Sequence, residues 1–86
     1  MPVISEQLSV YPNPFNSTIY VTINPSAQDV KDWDLQLTDV LGRIIYIRSS
    51  LNYSNEVDLS KIPSGMYFII ITNENGRAVF PVVKQE

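Results

Sequence analysis

The chain has 86 residues, enough for one domain whose folding buries about 60 to 65% of the surface that its unfolded form exposes. Hydrophobic residues make up 44% and charged residues 17%, which is typical of a globular domain and excludes a disordered or fibrous chain. The net charge is −3 and the six basic residues are scattered rather than clustered, so nucleic acid is not expected as a partner.

The chain begins with a segment that carries no clear structural pattern. We interpret residues 1–7 as a linker remnant or fragment boundary and residues 8–86 as the domain. Met1 and Pro2 are not followed by a basic stretch and an apolar core, so we expect no secretory signal within the numbered chain. The first predicted strand is Leu8–Tyr11.

The next segment, Tyr11–Asn16, contains two prolines, Pro12 and Pro14, on either side of Asn13. Proline restricts its own backbone and that of the residue before it, so this segment predicts a bent, extended corner with few hydrogen-bond donors. We expect Phe15 to fold back over one end of the domain. The local pattern alone does not decide whether a partner also recognises the corner.

Two strands follow, each with one solvent-exposed face. Apolar residues alternate with polar ones in 18–23 and again in 33–38. In this register Trp33 belongs to the core, whereas Tyr20 lies on the outer face. The segment between them, 26–32, is too short and too polar for a stable helix, and we predict a loop.

Further strands are predicted at Arg43–Arg48, Asn55–Leu59, Gly65–Thr72 and Arg77–Lys84. Asp39–Arg43 and Asn73–Arg77 both place a polar acceptor first, glycine fourth and arginine fifth, which is typical of tight hairpin turns. The sequence 62–65 predicts a further corner.

The last two strands differ in kind. Met66–Ile71 is the longest apolar run, too short for the ~18 residues that span a bilayer, so we expect a central buried strand and no membrane insertion. Pro81 lacks an N–H and restricts the final strand to a sheet edge or a bulge. About seven short, mostly antiparallel strands predict an all-β sandwich.

The residues that usually carry catalysis are missing. The chain has no histidine and no cysteine, which removes the usual general base, nucleophile and transition-metal ligands. Glu56 and Asp58 share one strand face, which is more typical of a solvated surface than of a catalytic pair. Asp29, Asp32 and Asp34 do not match a calcium loop. We therefore expect no enzyme activity and no cofactor.

The ordered set of turns resembles a known family. Tyr11–Asn16, Asp39–Arg43, Val57–Ser60 and Ile62–Ile69 are similar, in order and spacing, to the type A C-terminal sorting domain of the type IX (Por) secretion system. The similarity extends over residues 8–84. The family motifs fall on ten residues: Pro12, Asn13, Pro14, Gly42, Arg43, Pro63, Gly65, Tyr67, Arg77 and Lys84.

This resemblance implies an immunoglobulin-like sandwich at the C-terminus of a secreted protein of a Gram-negative, Bacteroidetes-type host. The attached cargo would reach the periplasm by a separate signal, and the tail would direct it through the outer-membrane translocon to the exterior or the cell surface. A sortase-like peptidase would then remove the tail in many members, upstream of Leu8 in this sequence. Pro81 and the two residues after Lys84 depart from the family pattern.

We hypothesise that the final strand, with Lys84 exposed, is a docking edge for the translocon or a shuttle component by strand addition. One alternative is a carbohydrate-binding or adhesion module in which Tyr20 stacks on a sugar, testable by a polysaccharide pull-down. The other is a structural immunoglobulin-like spacer, which differs from a sorting tail in its position within the gene.

Overall fold

Seven strands form two antiparallel sheets. The computed structural model describes residues 4–85 of the chain. The strands are β1 (Leu8–Tyr11), β2 (Thr18–Ile23), β3 (Asp34–Asp39), β4 (Ile44–Arg48), β5 (Ser54–Asp58), β6 (Gly65–Asn73) and β7 (Gly76–Lys84). One sheet has the order β1-β2-β5 and the other the order β4-β3-β6-β7. The predicted all-β sandwich is confirmed.

The described residues also form two short 3-10 helices. One covers Ile4–Gln7 before β1, and the other covers Val30–Asp32 before β3. The second lies in the segment predicted as a loop, so that prediction was wrong for three residues. Residues 1–7 were interpreted as a linker remnant or fragment boundary, and residues 1–3 of that segment lie outside the described part of the chain.

The core lies between the two sheets and follows the period-two pattern. Ile19, Val21 and Ile23 of β2 face Leu35 and Leu37 of β3 across the sandwich, and all five are buried. Trp33, at the entrance to β3, is also buried, as its register predicted. Fully burying each of these side chains contributes about 1.5–3 kcal/mol, which makes this layer the main source of stability.

The polar side chain of Asn55 lies inside the sandwich and was not anticipated. Asn55 is only 1% exposed, and its Nδ2 donates to the Val21 carbonyl at 3.1 Å and to the Asn52 carbonyl at 2.6 Å. Its Oδ1 accepts from the Asn52 N–H at 2.8 Å. All its hydrogen-bonding groups are therefore used, which allows an amide to be buried without a large penalty. The sequence did contain a signal, because Asn55 has the same strand phase as Val57.

The positions of the last two strands in the sheet match the prediction made from the sequence. β6 is an inner strand of the four-stranded sheet and β7 is an edge strand. The outward-facing backbone positions of β7 include Pro81, whose missing N–H therefore removes no bond to β6. Proline is tolerated within this strand for that reason.

Candidate functional site

The N-terminal corner lies against the outer edge of β7. The peptide bonds before Pro12 and Pro14 are both cis. The Asn13 side chain donates through Nδ2 to the Pro81 carbonyl and accepts through Oδ1 from the Val83 N–H, each at 3.0 Å. An amide side chain thus replaces a strand backbone as the partner of this edge.

Phe15 extends the same contact. Its N–H donates to the Val83 carbonyl at 2.9 Å, and its carbonyl accepts from the Gln85 N–H at 2.8 Å, which forms a parallel bridge beside Lys84. The ring is 1% exposed and belongs to the core, so the expectation that Phe15 folds back over one end of the domain is confirmed. Together, Asn13 and Phe15 occupy the outward hydrogen-bonding groups at the end of β7 and of the residue that follows it, from residue 81 to residue 85.

Lys84 is not on the surface. It is 9% exposed, and its Nζ donates to three backbone carbonyls, those of Leu59 at 2.9 Å, Ser60 at 3.2 Å and Ile62 at 2.6 Å. The expectation of an exposed Lys84 on an open docking edge was therefore wrong. Lys84 shares the inward phase of Ala78 and Val82, and the loop carbonyls replace water around its ammonium group.

The connection that Lys84 holds is itself ordered by a carboxylate. Asp58 Oδ1 accepts from the Ser60 N–H at 2.9 Å. Hydrogen bonds from the Ser60 backbone and side chain, with smaller contributions from the positive charges of Lys61 and Lys84, lower the pKa of Asp58 below its ordinary value of 3.8. Asp58 thus stays ionised and fixes the turn after β5, which explains its place on a strand end better than catalysis does.

Gly42 and Arg43 lie in the β3–β4 hairpin turn. Asp39 Oδ1 accepts from the N–H groups of Leu41 and Arg43 at 2.9 and 3.0 Å, and its Oδ2 accepts from Arg43 Nε at 2.7 Å. Gly42 has φ 85°, a conformation that a residue with a Cβ adopts only at a cost. The aspartate and the glycine therefore specify the turn, and the predicted hairpin is confirmed.

The same contacts make this turn sensitive to acid. Desolvation raises the pKa of Asp39, but the hydrogen bonds and charge of Arg43, with the Leu41 N–H, outweigh it and lower the pKa below 3.8. A carboxyl group with a lowered folded-state pKa stabilises the fold above its unfolded pKa and loses that contribution as pH falls through the folded value. We therefore expect Asp39→Asn to lower the melting temperature at pH 7 more than at about pH 2.5.

Thermal unfolding monitored by circular dichroism at both pH values measures this difference. Glu74→Gln removes an acidic side chain from the other hairpin turn and controls for a general loss of negative charge. An equal effect of Asp39→Asn at the two pH values would contradict a role for the ionised carboxylate.

Pro63 lies just before β6, and Gly65 and Tyr67 lie at its start. The Tyr67 hydroxyl donates to the Pro63 carbonyl at 2.6 Å, and the ring is buried. Gly65 has φ 145°, where the chain turns into the strand. An open groove of about 490 Å³ separates this segment from the β3–β4 turn, with Val40, Leu41 and Met66 among its lining residues.

The fold brings most of the predicted residues to one end of the sandwich, which we call the motif end. It consists of the corner 11–17, the turn 39–43, the connection 59–65 and the end of β7. Nine of the ten residues lie at this end or within the strand residues next to it: Pro12, Asn13, Pro14, Gly42, Arg43, Pro63, Gly65, Tyr67 and Lys84. Arg77 lies at the opposite end, at the start of β7.

The remaining candidates lie elsewhere. Tyr20 is exposed, as predicted, and its ring stacks on Tyr11 with centroids 5.8 Å apart. The two rings provide an aromatic surface of the kind that the carbohydrate-binding alternative requires, and sugar binding there stays a prediction. Within residues 4–85, no group of three or more acidic side chains is placed to hold a metal ion. No helix in this part of the chain could span a membrane.

A family model described as a secretion system C-terminal sorting domain matches residues 9–85, nearly the whole chain. No curated protein matches the sequence.

Proposed function

The chain belongs to the family of type IX secretion system C-terminal sorting domains, and from this membership we propose that it carries an attached cargo protein across the outer membrane of its host. A sorting signal of this family interacts with the type IX secretion machinery and leads to secretion or to the cell surface. The domain itself acts as a signal and not as a catalyst. The cargo would enter the periplasm by a separate signal, and removal of the tail upstream of Leu8 with surface attachment would follow export.

We propose that the machinery, through its translocon or sortase-like components, reads the motif end. The support is that nine of the ten motif residues converge there although they are dispersed over 73 positions of the sequence, from Pro12 to Lys84. Several of them stabilise the fold itself. Asn13 and Lys84 form hydrogen bonds to backbone groups, and Tyr67 is buried. Their role would be to hold the surface in one shape, while neighbouring exposed side chains make the contact.

The exposed tip of the β3–β4 turn is the best candidate for such a contact. Val40 is 62% exposed and Leu41 79% exposed, and both border the groove at the motif end. Exposed aliphatic side chains beside a groove are typical of contact sites for another protein. Strand addition along the C-terminal half of β7 is less suitable, because Asn13 and Phe15 already bond that edge.

The two hairpin turns allow a matched test of this proposal. They share one formula, but the second, 73–77, lies at the opposite end and has Glu74 and Asn75 where the first has Val40 and Leu41. A periplasm-targeted fluorescent protein followed by residues 8–86 is expressed in a type IX host. We expect Val40→Glu with Leu41→Asn to reduce the exported fraction about ten-fold, which corresponds to about 1.4 kcal/mol of recognition.

The reciprocal change, Glu74→Val with Asn75→Leu, is the control and should leave export near the level of the unchanged tail. Circular dichroism of both purified domains shows whether the fold is retained. Export of the fusion without any tail would contradict the sorting function itself. Normal export of the Val40/Leu41 variant would leave that function intact but place the contact elsewhere.

A further inference from the structure

The outer face of the four-stranded sheet is apolar on β4, β6 and β7 and polar on β3, where Gln36 and Thr38 lie beside Ile70 and Phe68, and the described chain does not cover it. Residues of β6 alternate between the core and this face, so Met66, Phe68 and Ile70 point outward while Tyr67, Ile69 and Ile71 are buried in the core. Ile47 of β4 and Val79 and Val83 of β7 lie on the same outer face, and they are 57%, 45% and 42% exposed. A central strand that is apolar on both faces is normally covered on both.

The other sheet shows that this is not a general property of the domain. Its outer face carries Ser9, Thr22 and Ser54 in one row across β1, β2 and β5. The next row across the same strands consists of the stacked Tyr11 and Tyr20 and the charged Glu56. The outer face of the four-stranded sheet therefore exposes aliphatic side chains on two edge strands and apolar side chains on β6, and it is a candidate interface.

The size of the face limits what can cover it. Four strands at about 4.8 Å spacing and about six residues of strand length give roughly 20 by 20 Å, or about 400 Å². A standard interface buries about 800 Å² on each partner. The face therefore suits a weak, reversible contact and not a permanent complex.

Two unpaired charges border the face at one end. Asp34 of β3 and Arg77 of β7 lie in the same row, one on each side of Thr72 of β6. Both are exposed, and neither forms an ion pair with any other described residue. A negative and a positive charge placed symmetrically about β6 are the arrangement that a two-fold axis along β6 would make self-complementary.

We propose that the outer face of the four-stranded sheet binds a second copy of this chain, with the two-fold axis running along β6. In this arrangement Phe68 and Ile70 meet their equivalents at the axis. Asp34 of each copy then faces the position of Arg77 in the other copy, which forms two ion pairs. The sheets pack with nearly aligned strands, as in the interior of a sandwich. The proposal depends on this face alone and is independent of the sorting function.

Sedimentation equilibrium of the 86-residue chain between about 10 µM and 1 mM tests the contact, since an interface of this size should dissociate within that range. Ile70→Lys places two ammonium groups together at the axis and should weaken dimerisation more than about ten-fold. Thr22→Lys is the matched control, because Thr22 is a half-buried residue on the outer face of the other sheet's central strand. A monomer at 1 mM, or an undiminished dimer of Ile70→Lys, would overturn the proposal.

Charge reversal tests the orientation. Asp34→Arg and Arg77→Asp should each weaken the dimer about ten-fold, because each brings like charges together twice. The double variant restores opposite charges and should return to within about three-fold of the original dissociation constant. Both side chains are exposed, so the fold should tolerate the changes, and circular dichroism verifies this. Failure of the double variant to recover would show that the axis does not run along β6.

Discussion

Replacing Phe15 by alanine is expected to reduce the free energy of unfolding by about 3–5 kcal/mol, the usual cost of removing a fully buried aromatic ring. The ring is 1% exposed and lies between the corner and the core. Its loss leaves a cavity and removes the side chain that fastens the corner to β7. For a domain of this size such a loss is a large part of the total stability.

Urea unfolding followed by tryptophan fluorescence measures the effect, since Trp33 is buried in the same core. Phe15→Leu retains most of the apolar volume and should cost less than about 1.5 kcal/mol. Amide hydrogen exchange at Val83 and Gln85 reports the corner directly, because these groups bond to Asn13 and Phe15. Unchanged exchange there, together with a loss below about 1 kcal/mol, would show that the ring does not hold the corner.

Replacing Lys84 by methionine is expected to reduce the free energy of unfolding by about 2–3 kcal/mol. This cost arises within the fold and not from a lost contact to another protein. The methionine keeps the apolar stem but removes three hydrogen bonds to the carbonyls of Leu59, Ser60 and Ile62. Polar groups that lose their partner in a buried place are costly, and bonds to a charged donor are worth more than neutral ones. The connection between β5 and β6 should therefore loosen, and with it the motif end.

The control for this change is Lys61→Met, which removes an exposed lysine from the same connection and should alter stability by less than about 0.5 kcal/mol. Lys84→Arg keeps the charge, but its planar group cannot direct three donors to one point as an ammonium group does, so an intermediate loss is expected. If Lys84→Met were as stable as the original chain while export failed, Lys84 would act by direct contact and not by holding the loop.

The sequence predicted the parts of the fold that depend on local periodicity and turn chemistry. Alternation in 18–23 and 33–38 placed Trp33 in the core and Tyr20 outside, and the asparagine or aspartate, glycine and arginine formula identified both hairpins. Pro81 identified the edge strand because a missing N–H is a local property of one residue.

The environments of Lys84 and Asn13 could not be predicted in the same way. The acceptors of Lys84 are backbone carbonyls 22–25 positions earlier, and those groups have no signature in the sequence. Asn13 bonds to residues 68 and 70 positions away. The strand phase shared by Lys84 and Val82 did indicate an inward position, but the expectation that lysine lies in solvent opposed it.

The pairing of the corner with β7 also joins an early part of the chain to a late one. Residues 13–15 find their hydrogen-bond partners only in residues 81–85. A chain truncated before residue 81 therefore lacks the hydrogen-bond partners of its own N-terminal corner, so the corner can be fixed in place only after the last strand is present.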